Sequence, residues 1–439
     1  MPERDRTVCI VGTGHIGLPL AAVLADTGFR VIGYDTSDEF ITQVNTTGRA
    51  GFSEEGLDEL LQRTLGRRLS LVSLPPASQD IYIITVGTPL DPATGRPNLE
   101  RVRQAVRQIA PRFGPDPLVV LRSTVSIGTT RSAVLPEIRR YAARFGLAFC
   151  PERTIEGRAI PEMRALPQII AGLDASSADR AEALFGTITK KLVRVSSLEA
   201  AEMIKLINNT YRDLTFAFAN EMALLAERMG LVASELIRAA NFDYSRAYIP
   251  RPGFVGGPCL EKDALILIDS LHQIDLASRM VEAARTVNGS LPDHVADLVL
   301  RELQNGRGPL TEAKVLISGF AFKGSPATED VRGSAAIPLM RRLQAHGIEV
   351  WGHDFVTPEK VIANLGARAC ALEEGCDGAD AVIVMNDHPA YARTDIVGLT
   401  QKMRRPGILF DSWSLFAVDD FRAIVGLRYG SIGRAFTTA

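Results

Sequence analysis

What the sequence lacks first is charge of one sign. Its 49 basic and 51 acidic side chains leave a formal net charge of −2, so the totals hold no electrostatic footprint for nucleic acid or an anionic membrane. No apolar run approaches the roughly 20 residues that cross a bilayer. The opening MPERDRTVCI is charged and runs straight into a strand pattern, so a signal peptide is not expected. Cysteine is scarce: Cys9, Cys150, Cys259, Cys370 and Cys376 are scattered without CxxC spacing. The odd count excludes a closed disulfide framework and fits a reducing compartment. The six histidines form no HExxH or similar ligand spacing, so no metal is expected. What remains is a cytoplasmic protein acting on a small molecule, and 439 residues call for two or three domains.

What is present starts at Thr7–Val11, an apolar run ending in GTGHIG and followed by the helix-periodic IGLPLAAVLADTG. In such a turn Gly12 permits the bend, Gly14 lets the backbone approach a pyrophosphate, and Gly17 allows close helix–strand packing, with the diphosphate on the helix N-terminus. A second strand, Arg30–Tyr34, ends at Asp35, the distance at which an acid meets ribose hydroxyls. An acid there favours NAD over NADP, whose 2′-phosphate would face a like charge.

The alternation continues with strands at Ile81–Val86, Leu118–Arg122 and Gly146–Cys150. Ligands of open α/β sheets gather where strands end, which puts Thr88, Ser123 and Thr124 on the binding rim, although hydroxyls there also cap helices. The third strand opens into PERTIEGRAIPE, whose Glu152 and Glu156 read by themselves as solvated loop charges.

From Ser196 to about Gly230 the pattern changes to one long helix, apolar on more than one face, expected to link two sheet domains and to form a subunit interface. Lys205 and Asn209 lie one turn apart on it, among Met203, Ile204, Leu206 and Ile207. A lysine in such company is suited to holding charge or a water. Then comes Gly253–Asp263, GFVGGPCLEKD, with Cys259 just after a Gly-Gly-Pro turn and Lys262 and Asp263 at the start of a helix. A thiol on a sharp bend before a helix N-terminus is favoured as thiolate; a small buried residue on a loop is the commoner fate of such a cysteine.

A helical run over Leu276–Asn305, broken at Pro292, leads to a linker at Asn305–Pro309 and a second α/β unit. Its strands are expected at Lys314–Ser318, Glu349–Gly352, Ala381–Met385 and Gly407–Phe410. The first turn of this unit is GFAFKG, with Phe320 and Phe322 where a dinucleotide fold wants small residues, so it reads as a nucleotide fold that no longer takes a dinucleotide. Lys323, Asp330 and Arg332 lie in its next loop and suit either a phosphate or loop ordering.

The motifs GTGHIGLPLA, VGTP, RSTVSIGTT, PERTIEGRA, AEMIKLINNTYRD, GFVGGPCLEKD and GFAFKGSPATEDVRGS occur in family order. Through them nearly the whole chain resembles the nucleotide-sugar 6-dehydrogenases, the UDP-glucose/GDP-mannose dehydrogenase family. The resemblance implies an α/β protein of two Rossmann-like parallel-sheet domains joined by a long central helix and a helical dimerisation region. The domains would be 1–195 for NAD, 196–305 for dimerisation and the cysteine loop, and 306–439 for the UDP-sugar. It also implies a homodimer or higher homo-oligomer.

The activity implied is a four-electron oxidation of a C6 alcohol to a carboxylate with two NAD, through a Cys259 thiohemiacetal and thioester. By resemblance Lys205 and Asn209 stabilise the oxyanion and order a water, Asp263 joins the lysine in proton removal, Glu152 serves thioester hydrolysis, and Thr124 sits at the water site. The cofactor set is Gly12, Gly14, His15, Ile16, Gly17, Asp35, Thr88 and Thr124. Sugar-nucleotide contacts fall to Glu152, Arg153, Glu156, Lys205, Asn209, Arg212, Gly256, Lys323 and Arg332, with Arg246 or Arg251 reaching across a subunit interface. Two departures stand out. The family turn EPGL reads EEGL at Glu54–Leu57, and Pro258 precedes the cysteine where relatives carry Ser or His. Arg212 and PERTIEGRA tilt the reading toward UDP-N-acetylglucosamine or UDP-N-acetylmannosamine, with UDP-glucose or GDP-mannose as the alternative. A two-electron hydroxy-acid dehydrogenase and a catalytically silent nucleotide-binding protein are the rival classes.

Overall fold

The computed structural model describes residues 6–91, 93–306 and 309–438. The first five residues of the charged N-terminal stretch, and Arg307 and Gly308 of the expected linker, lie outside them. The chain forms two compact units, one of residues 1–208 and 265–277, the other of 209–264 and 278–439.

The first unit is built on an eight-stranded sheet. Its strands are β1 (Thr7–Val11), β2 (Arg30–Tyr34), β3 (Leu69–Val72), β4 (Ile81–Ile84), β5 (Leu118–Leu121), β6 (Gly146–Phe149), β7 (Gln168–Gly172) and β8 (Leu192–Arg194). They run in the order β3-β2-β1-β4-β5-β6-β7-β8, parallel except where β6 meets β7. The first six follow the doubly wound order, with the switch point between β1 and β4. Strands such as VCIV and IYII are apolar at every position because helices cover both faces. Val8 and Ile10 face one core with the helix Gly17–Asp26, and Cys9 and Val11 face the other with the helix Glu100–Ile109.

The second unit repeats the plan. Strands β9 (Lys314–Ser318), β10 (Glu349–His353), β11 (Arg368–Ala369), β12 (Ala381–Val384), β13 (Gly407–Asp411), β14 (Leu427–Ser431) and β15 (Arg434–Thr438) are ordered β11-β10-β9-β12-β13-β14-β15. All pairings are parallel save the closing β14–β15 hairpin. The long helix spans Leu198–Arg228, 31 residues, or about 46 Å. Among the described residues no helix is long and apolar enough to cross a membrane.

Two expectations are corrected. The helix Arg279–Gly306 runs unbroken through Pro292, because Leu291, Val295, Ala296 and Val299 on either side are buried in the second unit's core and their packing offsets the missing N–H. It also absorbs Asn305 and Gly306 of the expected linker. The cysteine helix starts earlier than its sequence suggests, at Gly257, and runs to His272. Cys259 therefore sits inside the first turn rather than ahead of it.

Candidate functional site

In the first unit the glycine-rich turn has the geometry of a dinucleotide cradle. The Gly12 N–H donates to the Tyr34 carbonyl at 2.8 Å, tying the turn to β2. Gly14 faces open space, with no heavy atom within 4 Å of where a Cβ would stand. At Gly17 a Cβ would lie 1.8 Å from the Gly12 carbonyl oxygen, so only glycine lets the helix begin against the strand. Asp35 Oδ2 accepts from the Thr13 N–H at 2.7 Å and its Oδ1 from the Ser37 N–H at 3.1 Å. The half-buried carboxylate thus stands fixed beside the turn with lone pairs left for hydroxyls. These features fit NAD. His15 packs against Phe52 with ring centroids 4.2 Å apart and planes tilted by 34°, and Ile16 precedes the helix.

At the carboxyl end of β4 and β5 the Thr88 hydroxyl donates to the Thr124 carbonyl at 2.6 Å, and Ser123 to the Val86 carbonyl at 2.6 Å. Ser123 and Thr88 spend their donors locking one strand end to the next, which leaves half-buried Thr124 on the rim.

Glu152 is not a solvated loop charge. It is 5% exposed, and its Oε2 accepts from Arg122 Nε at 3.0 Å and Nη2 at 2.5 Å. Oε1 accepts the N–H groups of Arg153 and Thr154 at 2.7 and 2.9 Å. Burial pushes the carboxyl up, but the Arg122 charge, the Thr154 N–H and the nearby Lys205 outweigh it and hold the group below its ordinary value. Arg122 Nη1 donates to the Cys150 and Pro151 carbonyls and to Gln168 Oε1. Neither Arg122 nor Gln168 stands out in the sequence as functional. The one signal is a charge closing an otherwise apolar strand, LVVLR.

Lys205 on the long helix is 6% exposed. One turn earlier Glu202, also buried, accepts from the N–H groups of Gly128 and Thr130 at 2.5 and 2.8 Å and from the Thr130 hydroxyl at 2.5 Å. Burial raises its carboxyl to about 7 against these donors.

In the second unit Cys259 is exposed. Asp263, one turn further along the same helix, is 1% exposed, and its Oδ2 accepts from Asn209 Nδ2 at 2.6 Å. Its Oδ1 lies 3.9 Å from Lys262 Nζ and, though buried, has no hydrogen-bond partner among the described residues. A buried carboxylate oxygen left unpaired costs free energy unless something polar meets it. The helix start is seated on the loop after β9. Gly257 has φ +88°, its N–H donates to the Gly333 carbonyl at 3.3 Å, and a Cβ on it would stand 2.5 Å from the Phe322 ring. A Cβ on Gly256 would be 2.2 Å from the same Gly333 oxygen.

The loop leading to the cysteine is anchored by a network absent from the sequence reading. Asn220 grips Gly253 by both its N–H (2.9 Å) and its carbonyl (3.0 Å), and donates to Asn288. Asn288 in turn donates to Asp213, which pairs with Arg285 at 2.7 Å.

The remaining predicted contacts are dispersed. Arg153 and Glu156 are half-buried on the 152–158 loop, and Arg212 is exposed on the long helix. Arg246 stacks on Tyr244, and Arg251 donates to the Trp413 carbonyl at 3.1 Å. Lys323 lies over the Phe322 ring, and Arg332 is forked onto Asp330, ordering its own loop. The structure brings Asn209 to Asp263, Lys205 near Glu152, and Thr88 to Thr124.

Three domain models of one family match in succession. The NAD binding domain of the UDP-glucose/GDP-mannose dehydrogenase family covers residues 6–189, its central domain 199–290 and its UDP binding domain 316–418. A UDP-N-acetyl-D-mannosamine dehydrogenase of Pyrococcus horikoshii is 31% identical over 97% of this chain and 99% of its own length. An NDP-N-acetyl-D-galactosaminuronic acid dehydrogenase of Ralstonia nicotianae is 31% identical over 89% of this chain and 92% of its own. Among solved structures, a P. horikoshii UDP-D-ManNAc dehydrogenase superposes with a TM-score of 0.88 at 30% identity, covering 98% of this chain and 99% of that one. A UDP-glucose dehydrogenase of Pyrobaculum islandicum gives 0.86 at 28%, covering 98% of both chains. With relatives matched end to end and a turn shaped for a dinucleotide, the chain belongs to the UDP-glucose/GDP-mannose dehydrogenase family and is an NAD-dependent nucleotide-sugar dehydrogenase.

Proposed function

We propose that this chain oxidises the C6 alcohol of a UDP-N-acetylhexosamine, UDP-N-acetyl-D-mannosamine foremost, to the carboxylate, using Cys259 as the covalent nucleophile. The observation that carries the reading is the first turn of the cysteine helix. It presents an exposed thiol, with a buried carboxylate one turn further along that holds Asn209 and keeps one oxygen without a hydrogen bond. Bound NAD supplies the hydride acceptor, one molecule for each of two oxidations. The chain's residues do the rest. Asp263 Oδ1 takes a proton through a water, and Lys205 offers positive charge to the oxygen that becomes anionic. The Cys259 thiolate adds to the C6 aldehyde, giving a thiohemiacetal whose loss of a second hydride leaves a thioester. Water adds to the thioester carbonyl and the C–S bond breaks, releasing the carboxylate, the Cys259 thiolate and two protons. Glu152, with both oxygens engaged, serves as the fixed anionic neighbour of Lys205 and orders the backbone after β6. Thr124 lines the cofactor rim, and Glu156, Lys323 and Arg332 face the sugar nucleotide.

The division of labour follows the chain, with residues 1–195 for NAD, 196–305 for the cysteine helix and dimerisation, and 306–439 for the UDP moiety. A homodimer is supported by a stripe on the long helix. Met203, Ile207, Tyr211, Phe218 and Leu225 on the helix, with Met229 just past its end, are spaced by fours and sevens and 43–66% exposed, an apolar face that suits a second copy.

The test is a panel of UDP- and GDP-sugars followed by absorbance of reduced nicotinamide. Two NADH per sugar are expected with a UDP-N-acetylhexosamine, and Cys259→Ser abolishes acid formation. One NADH per sugar, or full turnover by the serine variant, refutes the thioester route.

A further inference from the structure

We propose that Glu54 is a positioning residue for the loop that meets the nucleotide sugar, and that Phe52–Glu54 ties this loop to the cofactor turn. This rests on the functional reading above.

The 152–159 loop is held to an unusual degree by carboxylates. Glu152 takes the N–H groups of Arg153 and Thr154. Glu162 Oε2 takes that of Ile155 at 2.7 Å. Glu54, about a hundred residues away in sequence, takes that of Gly157 on Oε2 at 2.9 Å and that of Ala159 on Oε1 at 2.6 Å. The Glu55 N–H returns a bond to the Gly157 carbonyl at 3.2 Å. Five backbone donors across seven residues thus end on three side-chain carboxylates, charge-assisted bonds that are short and strong. Two of the carboxylates belong to the loop or the helix that follows it. Glu54 alone comes from elsewhere.

The segment bearing Glu54 also touches the cofactor turn. Phe52, two residues before, carries the His15 ring at 4.2 Å and packs on the core beneath the dinucleotide helix. One short segment therefore supports His15 on one side and the Gly157–Ala159 backbone on the other. This gives the EEGL turn a purpose. Its first glutamate is the tether, and the second, Glu55, pairs with Arg158 at 3.4 Å on the exposed rim of the same loop. Because Glu54 acts on peptide N–H groups and not on the reacting atoms, losing it should alter sugar binding and leave cofactor binding intact.

The experiment compares wild type, Glu54→Gln and Glu55→Gln, each as the full chain. Glutamine at 54 keeps the shape but sets an NH2 against one of the two peptide donors. The expected result is a KM for the UDP-N-acetylhexosamine raised about ten-fold or more in Glu54→Gln. Its KM for NAD should stay within about two-fold of wild type, and Glu55→Gln should match wild type in both. Trypsin, with no substrate present, should cut Glu54→Gln at Arg153 or Arg158 about ten-fold faster than wild type. An unchanged sugar KM with unchanged cleavage overturns the proposal, as does a matched loss for sugar and NAD with a lowered Tm, which marks a merely structural role. If wild type oxidises no nucleotide sugar, the functional reading fails, and the tryptic comparison alone then decides the tether.

Discussion

Replacing Arg122 by methionine isolates the buried pair beneath the site. The guanidinium is 2% exposed and the Glu152 carboxylate 6%, so neither charge has water to fall back on. Removing the cation while keeping the anion leaves an uncompensated buried charge, which costs about 3–5 kcal/mol. Most of that cost belongs to the stranded carboxylate, so adding Glu152→Gln should return about 2 kcal/mol or more relative to the sum of the single variants. The pH dependence has a definite sign. The native pairing depresses the Glu152 pKa, so its stabilisation is present above the unfolded value of about 4.3 and is lost as pH falls through the native value. Arg122→Met should therefore be most destabilised above about pH 5 and converge on wild type only as pH falls through the depressed native value, below the unfolded value of about 4.3. The assay is urea unfolding at a series of pH values for wild type, both single variants and the double variant. A cost under about 1 kcal/mol at neutral pH, additivity of the two substitutions, or a gap that widens in acid would each refute the argument.

Asp35→Ala removes the carboxylate beside the cofactor turn; KM for NAD should rise about ten-fold and the preference over NADP narrow, whereas an unchanged ratio from paired titrations would place the ribose contact elsewhere. Gly17→Ala puts a methyl 1.8 Å from the Gly12 carbonyl oxygen, so thermal melts should show a loss of about 1–3 kcal/mol or more, together with lost NADH binding. Glu202 holds its proton up to about pH 7 in the native state but only to about 4.3 when unfolded, so its contribution should decline by roughly 3 kcal/mol as pH rises between those values. Glu199 and Arg131 pair beside it at 2.6 Å, and Glu202→Gln should remove that slope while leaving theirs.

The parts legible in the sequence were those set by local chemistry. TVCIV followed by GTGHIG can hardly be anything but a strand meeting a helix, and β1 and β2 fall at the residues their apolar runs mark. β8, with only Leu192, Val193 and Arg194 and two of the three exposed, carries no such mark. Pro292 misled because a proline's effect depends on what its neighbours bury. Glu152 misled for a related reason, since its counter-ion lies 30 residues back at the end of β5, and nothing local distinguishes a clamped glutamate from a solvated one. The Asn209–Asp263 bond spans 54 residues; its two members were recognisable by motif, but their contact was not.

The seating of Gly256 and Gly257 on Phe322 and Gly333 bears on how this enzyme can be taken apart. The start of the Cys259 helix rests on the carboxyl-terminal third of the polypeptide, so a truncation ending near residue 306 would strip the floor from under that helix start as well as discard the stretch that matches the family's UDP binding domain. Chimeras that exchange that third to alter substrate choice must therefore bring along a matching glycine-bearing first turn, because the two surfaces are cut to one another.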